Sequence, residues 1–175
     1  ALRLTLRCDL SRTLQDALLR DELDMIVALY QGGDPQFLVQ SWEEQPVWVG
    51  ADALELGAFD ALPLVAHPTG CVYRQRMTDA LGSVERNWNV VFSSPDIDAL
   101  QQAVRDGLGF TSLTSPTTLE GMRRVSPSEG LPALEPIRIG LFYRQTRFGS
   151  WGNLVAETLT EAIETTLQID AKFGA

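Results

Sequence analysis

The chain has 175 residues, 45% of them apolar, enough to bury a core in one domain or in two small lobes. A net charge of −9 and a pI near 4.5 repel phosphate backbones, which makes this segment a poor nucleic-acid binder by itself. No run approaches the roughly eighteen consecutive apolar residues of a membrane span, and Cys8 and Cys71 stand far apart without CxxC or metal spacing, as reduced thiols of a cytosolic protein do.

The opening ALRLTLRCDL lacks the basic region and unbroken apolar stretch of a secretory signal. Leu2, Leu4, Leu6 and Cys8 alternate with Arg3, Thr5 and Arg7, the period of a strand with one wet face. Asp9 or Ser11 then caps a helix whose stripe is Leu14, Leu18 and Leu19, ending near Leu23. The run MIVALY at 25–30 suits a strand covered on both faces, so residues 2–30 predict a strand-helix-strand crossover with a parallel pair. GGDP at 32–35 is a turn, and the chain to about Glu44 reads as loop or edge strand. PVWV at 46–49 and PLVA at 63–66 are short strands. HPTG then leads into a helix over about 71–81, WNVVF at 88–92 is another strand, and Ser93, Ser94 and Pro95 start a helix that runs to Asp106 and stops at Gly107. GFTSLT at 109–114 returns as a strand, Ser115-Pro116 opens a short helix stopped by Gly121, and 123–136, with three prolines and a glycine, is a crossover loop. A strand over 137–143 and a helix over about 151–167 close the chain. The alternation predicts an α/β fold.

Three of these strands end in turns that open helices: CDLSRT at 8–13, HPTGCVYR at 67–74 and FSSPD at 92–96. Parallel sheets bind ligands beyond the carboxyl ends of their strands, where helix starts present free N–H groups and a partial positive charge. Ser11, Thr69, Ser93 and Ser94 are therefore candidates to hold a carboxylate or other polar group, and Arg74, one turn into its helix, supplies a full charge. Each hydroxyl can equally serve only to cap its own helix. Cys71 stands beside the second turn; with no resolving partner near, a packed thiol suits it better than an oxidant sensor. His67 is the only histidine, which speaks against a zinc site. No GxSxG elbow occurs, and the GLG at 107–109 follows a helix and enters a strand, the wrong order for a dinucleotide loop. Neither an enzyme nor a cofactor is expected.

The stretch SRTLQDALLRDELDMIVALY resembles the S…L…L..G.LD.ai segment of LysR-type effector domains, and ALQQAVRDGLGFTSL resembles their l..lV.aGlGi..lP segment. QPVWVG, LPLVAHPTGCVYRQRMTDAL and NWNVVFSSPDIDAL are similar to the subgroup that includes HexA, PecT and LrhA. The resemblance implies a periplasmic-binding-protein-like (type 2) fold of two Rossmann-like lobes. Lobe I would take residues 1–62 and 137–175 and lobe II residues 63–136, with a small-molecule effector in the cleft between them. It places Ser11, Thr69 and Ser93 or Ser94 around that cleft. It also implies a cytoplasmic homodimer or tetramer whose DNA contacts come from an N-terminal winged helix-turn-helix outside this sequence. The family's sensing domain normally starts with one further strand and helix ahead of LRLTLR, which this sequence does not include. The competing expectation is an extracytoplasmic solute-binding protein of a transporter, built on the same fold.

Overall fold

The computed structural model describes residues 3–31, 33, 35–114, 118–144 and 149–173, with side chains to Leu167 in the last helix. Parts of the expected turn at 32–35, and the Ser115-Pro116 start of the expected short helix, lie outside the described residues. The chain forms two compact units, residues 1–43 with 138–175 and residues 44–137.

In the first unit, strands β1 (Met25–Tyr30), β8 (Ile137–Tyr143) and β2 (Leu38–Glu44) form one sheet with β8 in the middle. Alternation along β8 sends Phe142 to one face, where it packs with Leu14 and Leu18 of α1 (Ser11–Leu19) and with Ile26, Ala28 and Tyr30. Leu141 and Tyr143 point the other way, against Ala156 and Leu159 of α4 (Ser150–Phe173). Glu164 fastens α4 to β2 by accepting from Gln40 Nε2 at 2.9 Å and Trp42 Nε1 at 3.3 Å. Arg144 lies 4.1 Å over the Phe37 ring and donates to the Leu18 and Leu19 carbonyls, neutralising the negative end of α1.

Among the described residues, the expected parallel pairing of the opening segment with β1 does not form. Residues 3–9 are exposed, with Leu4 63% and Leu6 90% accessible, and β1 pairs antiparallel with β8 from Met25↔Tyr143 to Tyr30↔Arg138. A strand needs a neighbour to take its amides and carbonyls. On the outer edge of β1 those roles fall to α1 instead: the Leu29 N–H donates to Ser11 Oγ at 3.0 Å, and Gln15 Nε2 donates to the Leu29 carbonyl at 3.1 Å.

In the second unit, β4 (Leu62–Ala66) pairs parallel with β5 (Trp88–Ser93), while β3 (Val47–Ala51) sits between β6 (Thr111–Leu113) and β7 (Met122–Arg124), antiparallel to both. Residues 44–62, expected in the first lobe, sit in this unit because β3 takes both its partners there. Strand β4 is buried along its whole length. Leu62, Leu64 and Ala66 face Met77 and Leu81 of α2 (Val72–Ser83) with Phe110, and Val65 faces Leu100 and Val104 of α3 (Ile97–Arg105). Helix α3 starts later than the Ser93–Pro95 expectation because Asp96 is its cap, accepting from the Asp98 N–H at 3.0 Å. Strand β7 falls in the segment expected to be only a loop. Behind it, Ser126 and Glu129 form a capping box, and Glu129 also receives a two-pronged bond from Arg123.

Phe110 is stitched to β4 on the edge opposite β5: its N–H donates to the Pro63 carbonyl at 2.8 Å and its carbonyl accepts from Val65 N–H at 2.9 Å. Gly109 permits this approach, since a Cβ there would stand 2.4 Å from the Pro63 oxygen. Gly109→Ala is expected to lower the unfolding free energy by about 3 kcal/mol, seen as a lower midpoint in denaturant melts. A variant as stable as the parent would contradict this close packing.

Candidate functional site

The carboxyl ends of β4 and β5 lie side by side in the second unit, and the chain leaves each through a short turn into a helix. After β4 the turn is Pro68-Thr69-Gly70-Cys71, closed by Cys71 N–H to the Pro68 carbonyl at 3.2 Å. Gly70 has φ +97°, the left-handed conformation that the third position of a type II turn requires. After β5, Ser94 N–H donates to the Ala66 carbonyl at 3.4 Å, which draws the second turn onto the end of β4. Thr69 and Ser93 are exposed, and Cys71, Arg74 and Ser94 are half-buried. These five residues therefore occupy one end of one unit. Ser11 belongs to the other unit.

Several predicted side chains are already engaged. Arg74 Nη1 donates to the His67 carbonyl at 3.2 Å, so its guanidinium is held over the end of β4. Ser94 Oγ accepts from the Asp96 N–H at 3.1 Å. Ser11 does not cap α1: the cap position is Leu10, and the hydroxyl is taken by Leu29. Cys71 is the cap residue of α2, without a side-chain cap bond. Burial pushes its thiol up, and the Arg74 and Tyr73 backbone N–H groups pull it back only in part.

The three helix starts differ in charge. At α1, Asp9 Oδ1 accepts from Leu10 N–H at 2.8 Å, and Arg7 holds the Asp9 carboxyl below the usual carboxylate range. At α3, Asp96 is the cap and Asp98 stands in the first turn. The start of α3 thus carries carboxylates of its own, and just ahead of α1 the Asp9 carboxylate stands paired with Arg7. Helix α2 has no acidic residue in its first turn, and Arg74 adds a cation to it. Of the three, α2 is the start electrostatically suited to an outside anion.

Three neighbouring groups were not expected from the sequence. Tyr73, the second residue of α2, is buried enough to push its phenol up to about 12, against the opposing pull of a hydrogen bond with Thr114. Ser112 Oγ donates to the Tyr73 carbonyl at 3.3 Å, so the end of β6 pins the first turn of α2. The signal available was the hydroxyl-rich GFTSLT, where Thr111, Ser112 and Thr114 are nearly inaccessible. The third group is the His67 ring, whose Nδ1 is buried without a partner and whose pKa burial lowers. Among the described residues no cluster of His, Cys, Asp or Glu is arranged to hold a metal ion, and no helix is long and apolar enough to cross a membrane.

The two thiols are expected to differ in reactivity. At pH 7 iodoacetamide should label exposed Cys8 well before Cys71, by about tenfold or more in rate, as read by peptide mass spectrometry. Equal labelling would contradict the burial of Cys71.

The model of the LysR substrate binding domain matches residues 1–163. The chain is 30% identical over 104 residues to the HTH-type transcriptional regulator DgdR of Burkholderia cepacia; that match covers 59% of this chain and 35% of the regulator. Its fold is similar to the bromide-bound regulatory domain of HypT from Salmonella typhimurium (TM-score 0.66, 17% identity, 90% of this chain and 78% of that one). It is also similar to a C206 mutant of Corynebacterium glutamicum OxyR (TM-score 0.64, 20% identity, 95% of this chain and 56% of that one). The mixed α/β architecture is the periplasmic-binding-protein-like type 2 fold of LysR regulatory domains. The relatives named are regulators, and the transport alternative is not favoured. The chain belongs to the LysR substrate-binding domain family, the effector-binding domain of LysR-type regulators.

Proposed function

We propose that this domain senses a small anionic effector, held in the second unit at the start of α2. The carrying observation is electrostatic: of the three helix starts, α2 has no carboxylate of its own, and Arg74 reinforces it from over the end of β4. Thr69 and Ser93 are exposed hydroxyls at the same end, and Cys71 and Ser94 complete its rim. Ser11 keeps at most a secondary role, because its hydroxyl already accepts from Leu29. The domain acts by binding and not by turnover.

The matched part of DgdR is 35% of its length, so the setting of the whole protein is also part of this reading. It is a cytoplasmic homodimer or tetramer in which effector binding shifts the domain between two states, and an N-terminal winged helix-turn-helix makes the DNA contacts. The stretches QPVWVG, HPTGCVYR and NWNVVFSS support a place near HexA, PecT and LrhA.

A thermal-shift screen of small organic acids tests the reading. A true effector at about a hundredfold its Kd adds about 2.7 kcal/mol of stability and raises the melting temperature with concentration. Arg74→Ala is expected to weaken that effector by about tenfold or more in titration calorimetry. Unchanged affinity would remove Arg74 from the site.

A further inference from the structure

The chain passes between its two units twice, between Glu43 and Glu44 and between Ile137 and Arg138. The first crossing runs through Gln45 and Pro46 into β3. The second leaves from residues 131–136, LPALEP, which belong to no helix or strand. Pro132 and Pro136 have no N–H to offer a ladder. Two side chains from the first crossing and β3 hold this segment instead. Trp48 Nε1 donates to the Pro132 carbonyl at 2.8 Å, and Gln45 Nε2 donates to the Leu134 carbonyl at 2.7 Å. The same Gln45 amide also donates to the Pro46 carbonyl at 3.1 Å, which orients it.

The segment is anchored as well as bonded. Leu131 and Leu134 are buried in one cluster with Trp48 and with Met77 and Leu81 of α2. Trp48 stands opposite Ser112 in the β3–β6 pair, and residues so placed project to the same face. Ser112 Oγ holds the Tyr73 carbonyl in the first turn of α2, so one face of β3–β6 carries both the tie to α2 and the tie to residues 131–136. In the first unit the two crossings continue in neighbouring strands, β2 and β8. There Arg138 stands 3.7 Å from Glu43 with both side chains at least half exposed, a pair of little strength.

We propose that residues 131–136 are a strap, clasped to the first crossing by Gln45 and Trp48, so that the two crossings open and close as one joint. Leu131 and Leu134 supply the hold, and the two N–H bonds fix which carbonyls face β3. With one bond gone, the anchors remain but the strap is free to leave the other donor. Along the backbone, a change at the start of α2 reaches the first unit only through these crossings. That an effector at α2 tightens the strap rests on the function proposed above; the clasp itself does not.

Hydrogen exchange of the indole N–H groups, on the chain without effector, tests the clasp. Trp48 is read against exposed Trp151 and against Trp42, whose N–H is bonded to Glu164 in the first unit. Trp48 is expected to exchange at least about a hundredfold more slowly than Trp151. Gln45→Met keeps the length of the side chain, removes the second donor and leaves the bond of Trp48 itself untouched. It is expected to speed Trp48 exchange by about tenfold while Trp42 holds. Thermolysin should then cut the Ala133–Leu134 bond faster by a similar factor. Exchange at Trp48 as fast as at Trp151, exchange or cleavage unmoved by Gln45→Met, or an equal acceleration at Trp42 would each overturn the clasp.

Discussion

Strand β4 has both faces buried and both edges bonded. Strand β5 runs parallel along one edge, Phe110 is stitched to the other, and Leu62, Leu64 and Val65 have no accessible surface. Burying each of these side chains contributes about 2 kcal/mol, more than the roughly 1 kcal/mol net of a single backbone hydrogen bond, so apolar packing dominates the strand's stability. The bonds fix its register and direction. The carboxyl ends of β4 and β5 therefore emerge together, and everything argued about the site follows from that placement.

The site end of the unit is held more tightly than its exposure suggests. Ser112 of β6 and Thr114 just after it brace Tyr73, while the Ser94 N–H and the Arg74 guanidinium secure the last carbonyl of β4 and the one that follows. Such bracing pre-organises the α2 start, because little ordering remains to be done when a ligand arrives. In the Pro68–Cys71 turn only the tip, Thr69 and Gly70, is exposed.

Much of the order of elements was legible because hydrophobic period and turn chemistry agree over most of the chain. PLVA reads as a covered strand because it is one, and the strand-turn-helix order placed Thr69, Cys71, Arg74, Ser93 and Ser94 at the ends of β4 and β5. The failures have physical causes. Alternation in LRLTLR announces a strand but says nothing of a pairing partner, and residues 3–8 pair with none among the described residues. Strand β7 is only three residues, two of them arginine, and forms because β3 offers an edge. Side-chain direction was equally hidden: the Ser11 hydroxyl turns to the Leu29 amide on β1 and the Ser94 hydroxyl to the nearby Asp96 amide, and acids stand at the starts of α1 and α3. The Tyr73–Thr114 contact joins residues distant in sequence, which no local pattern reveals.

The central claim is that an anionic effector docks on the backbone at the start of α2. Amide chemical-shift mapping with an acid that stabilises the chain addresses it most directly. The account predicts the largest shifts at Val72, Tyr73 and Arg74, with smaller ones at Ser93 and Ser94. Shifts concentrated at the start of α1 or α3, with α2 silent, would contradict it.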